Sequence, residues 1–260
     1  MSRNELRAWA CCLLADFDAR TPWRSFVPPD GLTLERAYDL QGEVARLRED
    51  RGERIIGYKI GCTSRAIQDQ LGIHEPIFGR IFDTGCIPAG SRVGHASYAN
   101  LAIEGELAIR LSQDLPRHPM SDEEYTGAIE SVFPVIELHH YVLPENGHPL
   151  TALIASGGIH AGLVLPAQEM TCSSRIPVVT ELSVTINDRL AGRTGEPWTM
   201  GGPATALRWL TVRLAEQGLP LRQGQVILAG SALPLFPVDP GSRVVAEAHP
   251  LGKSSAEIAR

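Results

Sequence analysis

Two glutamates one residue apart, in the run Ile103-Glu104-Gly105-Glu106-Leu107-Ala108-Ile109, are the first chemical signal in this chain. On a strand, alternate side chains share a face, so Glu104 and Glu106 point one way and Ile103, Leu107 and Ile109 point into a core. Two carboxylates about 7 Å apart along a strand repel unless water screens them or a positive group lies between them. A second apolar run, Phe133-Pro134-Val135-Ile136-Glu137-Leu138-His139-His140-Tyr141-Val142, carries a single acid, Glu137. Burying that acid alone is costly. Three carboxylates and no cysteine ligand suit Mg2+ or Mn2+ rather than zinc, so Glu104, Glu106 and Glu137 are the expected metal ligands. His139 shares the face of Glu137 and is a candidate ligand, proton shuttle or packed ring. In Ile55-Ile56-Gly57-Tyr58-Lys59-Ile60-Gly61, Lys59 sits between apolar residues. Held there, its ammonium loses water and its pKa should fall, which suits an acid/base catalyst or an anchor for an anionic substrate. Thr63 and Ser64 follow and open a helix, as caps or as a place for a substrate carboxylate.

These residues must be carried by elements. Leu6 to Phe17 reads as a helix, and Thr33 as the N-cap of a second helix reaching about Glu49, with Gly52 beyond it. After Gly52 the texture becomes β-rich. Strands are expected at 54–60, 101–111, 133–142, 159–165, 178–187, 225–229 and 243–248. Short helices are expected after Thr63 or Ser64, from Ser121 with Glu124 closing a capping box, and over 203–217 with Pro203 in its first turn. The expected organisation is a helical segment, 1–52, packed on a β-rich catalytic core, 53–260, as one functional domain. The 260 residues carry 24 Lys+Arg against 30 Asp+Glu, a net charge of −6, with no basic block to recruit nucleic acid or an anionic membrane. Asp16 and Asp18 break the N-terminal apolar run, which argues against a signal peptide, and no apolar stretch is long enough to span a bilayer. The five cysteines, Cys11, Cys12, Cys62, Cys86 and Cys172, form no Cys-x-x-Cys pair. Reduced, mostly buried thiols in a cytoplasmic protein are expected.

Taken in order, several runs resemble the fumarylacetoacetate hydrolase superfamily, in its branch of 2-keto-4-pentenoate hydratases and 4-oxalocrotonate decarboxylases. They are Gly57-Tyr58-Lys59-Ile60-Gly61-Cys62-Thr63-Ser64, Gln70-Leu71-Gly72-Ile73-His74-Glu75-Pro76, Glu104-Gly105-Glu106 and Pro134-Val135-Ile136-Glu137. Gly201-Gly202-Pro203, Gly218 to Gly224, Ile227 to Ser231, Pro237 to Gly241 and Leu251-Gly252 continue the match to the C-terminus. The resemblance implies an α+β fold with a mixed β-roll or β-sandwich core and a small helical N-terminal part. It implies Mg2+ or Mn2+ on Glu104, Glu106 and Glu137, a catalytic lysine at Lys59, and a homo-oligomer. The implied substrate is a small 2-hydroxy-2,4-dienoate or 2-oxo-enoate, and the implied reaction is addition of water in aromatic-compound catabolism. A 4-oxalocrotonate-type decarboxylase, an acylpyruvate-type C–C hydrolase and a non-catalytic member are the alternatives. The match breaks in two places. Ile77 stands where hydratases tend to carry an acid, and looks more like the decarboxylases. After Glu137 the family tends to read Glu-x-x-Asp-Ser-Arg and later Asp-Asn-Ala-Ser, where this chain has Glu137-Leu138-His139-His140 and Ala155-Ser156-Gly157-Gly158-Ile159-His160. His139, His140 and His160 become candidate replacement acid/base groups. The expected site is therefore catalytic Lys59 and His139, with Thr63, Ser64, Ile77, Gly230, Ser231 and His160 around the substrate.

Overall fold

The computed structural model describes residues 2–22, 26, 31–143, 150–172 and 176–260. In chain order its helices and strands begin with α1 (Arg3–Ala19), α2 (Leu34–Asp50), β1 (Ile55–Gly61), α3 (Arg65–Leu71) and β2 (Ile77–Phe82). Next come β3 (Cys86–Ile87), β4 (Arg92–Gly94), β5 (Ala102–Leu111), α4 (Asp122–Gly127), β6 (Ile129–His139) and α5 (Leu150–Ala155). Then follow β7 (His160–Val164), β8 (Met170–Thr171), β9 (Glu181–Ile186), β10 (Arg189–Thr194) and α6 (Pro203–Glu216). The chain closes with β11 (Val226–Leu228), β12 (Phe236–Pro237), β13 (Arg243–His249) and β14 (Gly252–Ala259).

Capping chemistry sets the helix starts. Thr33 Oγ1 accepts the Arg36 N–H at 3.3 Å, Ser64 caps α3, and Ser121 with Glu124 forms the expected capping box. Pro203 opens α6. β2 was not expected from the sequence. All six of its residues are buried, so it lacks the alternation that marks a half-exposed strand. Arg80 is among them, with Nη1 donating to Gln41 Oε1 at 2.6 Å. Nor was α5 expected, a six-residue helix before Ser156-Gly157-Gly158.

The fold is α+β, with two mixed sheets among the described residues. One has nine strands, in the order β2-β1-β11-β5-β6-β7-β3, with β12 added to β5 and β8 to β6. The other has five, in the order β10-β9-β13-β14-β4. Ile103, Leu107, Ile109, Ile136 and Leu138 project from one face of the large sheet onto Leu182, Val184, Val244 and Ala246 of the small one. The large sheet also rolls on itself, so that β2 comes against β7. At this seam backbone meets backbone: a Cβ on Gly162 would lie 2.4 Å from Gly85 O. The inside of the roll is plugged by Ile81, Ala108, Phe133, Val135, Leu163, Val226 and Leu228. Burial of these side chains is the main favourable term holding the roll shut.

The helices cover the other side. Ala10, Leu13 and Leu40 pack on Val142, Leu143, Ala152 and Ala155. Gln41 of α2 is fully used: Nε2 donates to Phe78 O at 3.0 Å and to Ile154 O at 2.6 Å, while Oε1 takes the Arg80 hydrogen bond. All five cysteines are free, but the expectation that most are buried fails: Cys11 is exposed and the other four are only half-buried. No helix among the described residues is long and apolar enough to cross a membrane.

Candidate active site

Five strands of the rolled sheet bring the chemistry together. β5 and β6 are antiparallel neighbours, and their register sets Glu104 directly opposite Glu137. Antiparallel neighbours of this kind lie close enough for their side chains to interact. Glu106, two residues along β5, falls on the same face as Glu104, as the alternation requires. Lys59 comes from β1, which β11 separates from β5. His160 is the first residue of β7 and pairs with His139 at a register shift in β6.

Glu137 is the hub. Its Oε1 lies 3.1 Å from Lys59 Nζ and 2.7 Å from His160 Nδ1. Its Oε2 faces His139 Nε2 at 3.5 Å, and that nitrogen is 3.1 Å from Glu104 Oε2. Glu104, Glu137 and His139 each offer one donor atom, and these atoms all lie within 4.8 Å of one another, close enough to share an ion. Glu106 falls outside that group, its Oε1 taking the Gly230 N–H. The donor set fits a divalent cation in charge and in spacing.

Burial raises the pKa of Glu137, but the charge of Lys59 and then the two histidines outweigh it and hold this carboxyl well below the usual range. Burial, then the charges of Glu137 and Glu104, push Glu106 well above it. For Lys59 the structure reverses the expectation. Burial does push its pKa down, but Glu137, Glu104 and Glu106 together outweigh burial, and the net shift is upward. Desolvation alone lowers a lysine pKa, and the three acids that face the ammonium from β5 and β6 reverse the sign.

A cleft of about 800 Å³ opens over the site. Lys59, Glu104 and His139 lie at its floor, with Thr63, Ser64, Ile77, Leu153, Ile159, Trp198, Ser231 and Leu233 among its walls. Ser64 Oγ also accepts the Ile67 N–H at 3.3 Å, which is the capping role. Ser231 Oγ lies 2.9 Å from Leu233 O and tightens the loop after β11. His160 backs Glu137 and lines a second, smaller pocket of about 50 Å³ beside Gln41, Arg80 and Ser156. Residues missed from sequence include Gly158, whose carbonyl accepts from Lys59 Nζ at 3.1 Å, and the cleft walls Leu153, Ile159, Trp198 and Leu233. The Gly157-Gly158 pair is the local signal that points to Gly158.

His140 is a correction. It was a candidate acid/base group, but it is turned away from the cleft. Its Nδ1 accepts the Ala99 N–H at 3.0 Å and its Nε2 lies 3.0 Å from Phe17 O, so the ring is a neutral pin under the end of α1. Burial pushes its pKa down to about 4 from 6.5. Between those values the unfolded chain binds a proton that the folded chain does not, so stability should fall as pH falls from 6.5 to about 4. The expected loss is on the order of 3 kcal/mol. Urea unfolding across that window checks it: His140→Gln should flatten the slope, and an unchanged slope would refute the assignment.

No family model matches the chain. It is 32% identical over 214 residues to a 2-hydroxyhexa-2,4-dienoate hydratase of Comamonas testosteroni, covering 82% of this chain and 81% of that one. It is 27% identical over 237 residues to a 2-keto-4-pentenoate hydratase of Paraburkholderia phymatum, covering 91% and 90%. Among solved structures, 4-oxalocrotonate decarboxylase from Pseudomonas putida G7, complexed with magnesium and adipate, superposes with a TM-score of 0.90 at 23% identity, covering 99% of this chain and 98% of that one. Fumarylpyruvate hydrolase from Pseudomonas aeruginosa, in complex with Mn2+ and pyruvate, gives 0.63 at 14% identity, covering 78% and 88%. These two likenesses concern the fold.

Proposed function

Because the chain belongs to the 2-keto-4-pentenoate hydratase family, we propose that it is a metal-dependent hydro-lyase acting on a 2-hydroxy-2,4-dienoate. The observation that carries this is the meeting of Lys59, Glu104 and His139 at the floor of one cleft, with Glu137 buried against Lys59 and His139 and Glu106 on the strand face of Glu104. In this reading Glu104 and Glu137 would hold Mg2+ or Mn2+, with Glu106, whose Oε1 takes the Gly230 N–H in the structure, as the third carboxylate beside them. The bound ion supplies Lewis acidity toward the carboxylate and 2-oxygen of the substrate.

The chain's own groups do the rest. The 2-hydroxyl gives up its proton and C5 receives one, which yields the 2-oxo-3-enoate. Water then adds, its oxygen to C4 and its proton to C3, giving the 4-hydroxy-2-oxo acid. Lys59 and His139 are the catalytic side chains. Lys59 Nζ, anchored on Gly158 O and Glu137, holds a proton at the cleft floor and attracts the anionic substrate. Thr63, Ser64, Gly230 and Ser231 border the bound acid, and His160 steadies Glu137 from behind. Ile77, Leu153 and Leu233 offer an apolar wall that shields the reacting carbons from bulk water. The proposal extends to a cytoplasmic homo-oligomer working in aromatic-compound catabolism, with assembly read by light scattering.

A second reading, decarboxylation of a 2-oxo-enedioate, is favoured by Ile77, an apolar side chain in the cleft wall where the hydratases tend to carry an acid. One assay separates the two. Purified protein with Mg2+ is given 2-hydroxypenta-2,4-dienoate, and separately a 2-oxo-3-enedioate, while dienol absorbance and CO2 are followed. Loss of the dienol without CO2 is the expected result. CO2 release from the diacid favours the second reading, and no change with either substrate refutes both.

A further inference from the structure

The Glu137 carboxylate divides its work between its two oxygens. Oε1 is taken by Lys59 and His160, at 3.1 and 2.7 Å. Oε2 faces His139 Nε2, which also faces Glu104 Oε2. Donor atoms about 2.1 Å from one ion stand about 3.0 Å apart at right angles, and about 3.4 Å apart at tetrahedral angles. The separations of His139 Nε2 from the two carboxylate oxygens, 3.1 and 3.5 Å, match the edges of such a polyhedron. His139 is 2% exposed, and it sits where the β6–β7 register shifts between Leu138 and His139. A strand irregularity of this kind re-aims a side chain, and is common beside active sites.

Resting on the metal-dependent reading above, we infer that His139 Nε2 is itself a ligand of the divalent ion, beside Glu104 and Glu137, and that it biases the site toward a first-row transition ion. Imidazole suits such ions, whereas an all-carboxylate set suits magnesium. In this arrangement His139 acts by holding the ion, and proton handling falls to Lys59. Lys59 and His160 then serve as outer partners that orient Glu137 so that Oε2 points at the ion.

The test uses the full chain loaded with Mn2+ and read by pulsed EPR, where a coordinated imidazole gives a nitrogen-14 modulation. The modulation is expected in the unaltered protein and in His160→Asn, and should vanish in His139→Gln. The preference for Mn2+ over Mg2+, measured by competition, should drop about tenfold or more in His139→Gln. His139→Asn replaces that variant if it fails to fold. Bound Mn2+ without nitrogen modulation in the unaltered protein overturns the inference, as does modulation that survives in His139→Gln. Either result leaves the metal-dependent reading standing. Failure to bind Mn2+ or Mg2+ at all overturns both.

Discussion

Replacing Lys59 with methionine should remove activity and weaken the fold at once. The ammonium is the principal cation facing Glu137, whose side chain is 1% exposed. Removing one member of a buried ion pair leaves the other charge stranded, which costs about 3–5 kcal/mol. For a chain of this size that corresponds to a melting temperature lower by roughly 6–20 °C. His160 and His139 still touch Glu137, so the loss should lie in the lower half of that span. Turnover should fall about 10²- to 10⁴-fold, the usual worth of a positioned proton carrier. The pH dependence has a definite sign. Glu137 is held below its ordinary value, so its stabilisation is present above the ordinary carboxylate range and is lost as pH falls through the lowered value. Without Lys59 the lowered value climbs, and acid unfolding should begin at higher pH in the variant. Calorimetry over an acid series reads this, and a melting temperature within about 2 °C of the parent at every pH would contradict it.

Gly57→Ala should be the most damaging change of a single methyl group. A Cβ at position 57 would lie 1.9 Å from Val226 O and 2.8 Å from Val226 C. No rotamer relieves that contact, because both partners are backbone in the β1–β11 pair. The strand must move, and with it Lys59, two residues on. A loss on the order of 4 kcal/mol or more, or outright failure to fold, is expected. Gly52→Ala is the useful comparison. Its φ is +97°, yet nothing lies within 4 Å of the added carbon, so only backbone strain of about 1 kcal/mol is at stake. Urea unfolding of both variants decides the matter, and equal midpoints would contradict the clash.

Much of the site could be read before the fold was known. Alternation placed Glu104 and Glu106 on one strand face, and a lone acid in an apolar run marked Glu137. Thr33, Ser121 and Pro203 announced their helices through capping chemistry that acts over three or four residues. What could not be read was anything set by register between distant strands. Nothing local says that Glu104 stands opposite Glu137, so the carboxylates that hold the proton on Lys59 leave no mark on the residues around it. The same limit hid His139. Its position on the Glu137 face was visible, but not that Nε2 would also meet Glu104. β2 escaped because complete burial erases the period on which strand recognition depends.

Gln41 carries a consequence for anyone who would cut or graft this protein. Its amide ties α2 to a peptide carbonyl beside Ile77 and to another beside Leu153, two apolar side chains that line the cleft and share one hydrophobic cluster. The N-terminal helices are therefore a splint for the substrate's enclosure. A trimmed β-rich fragment would keep every acid and the lysine, yet would lose the brace behind that apolar wall.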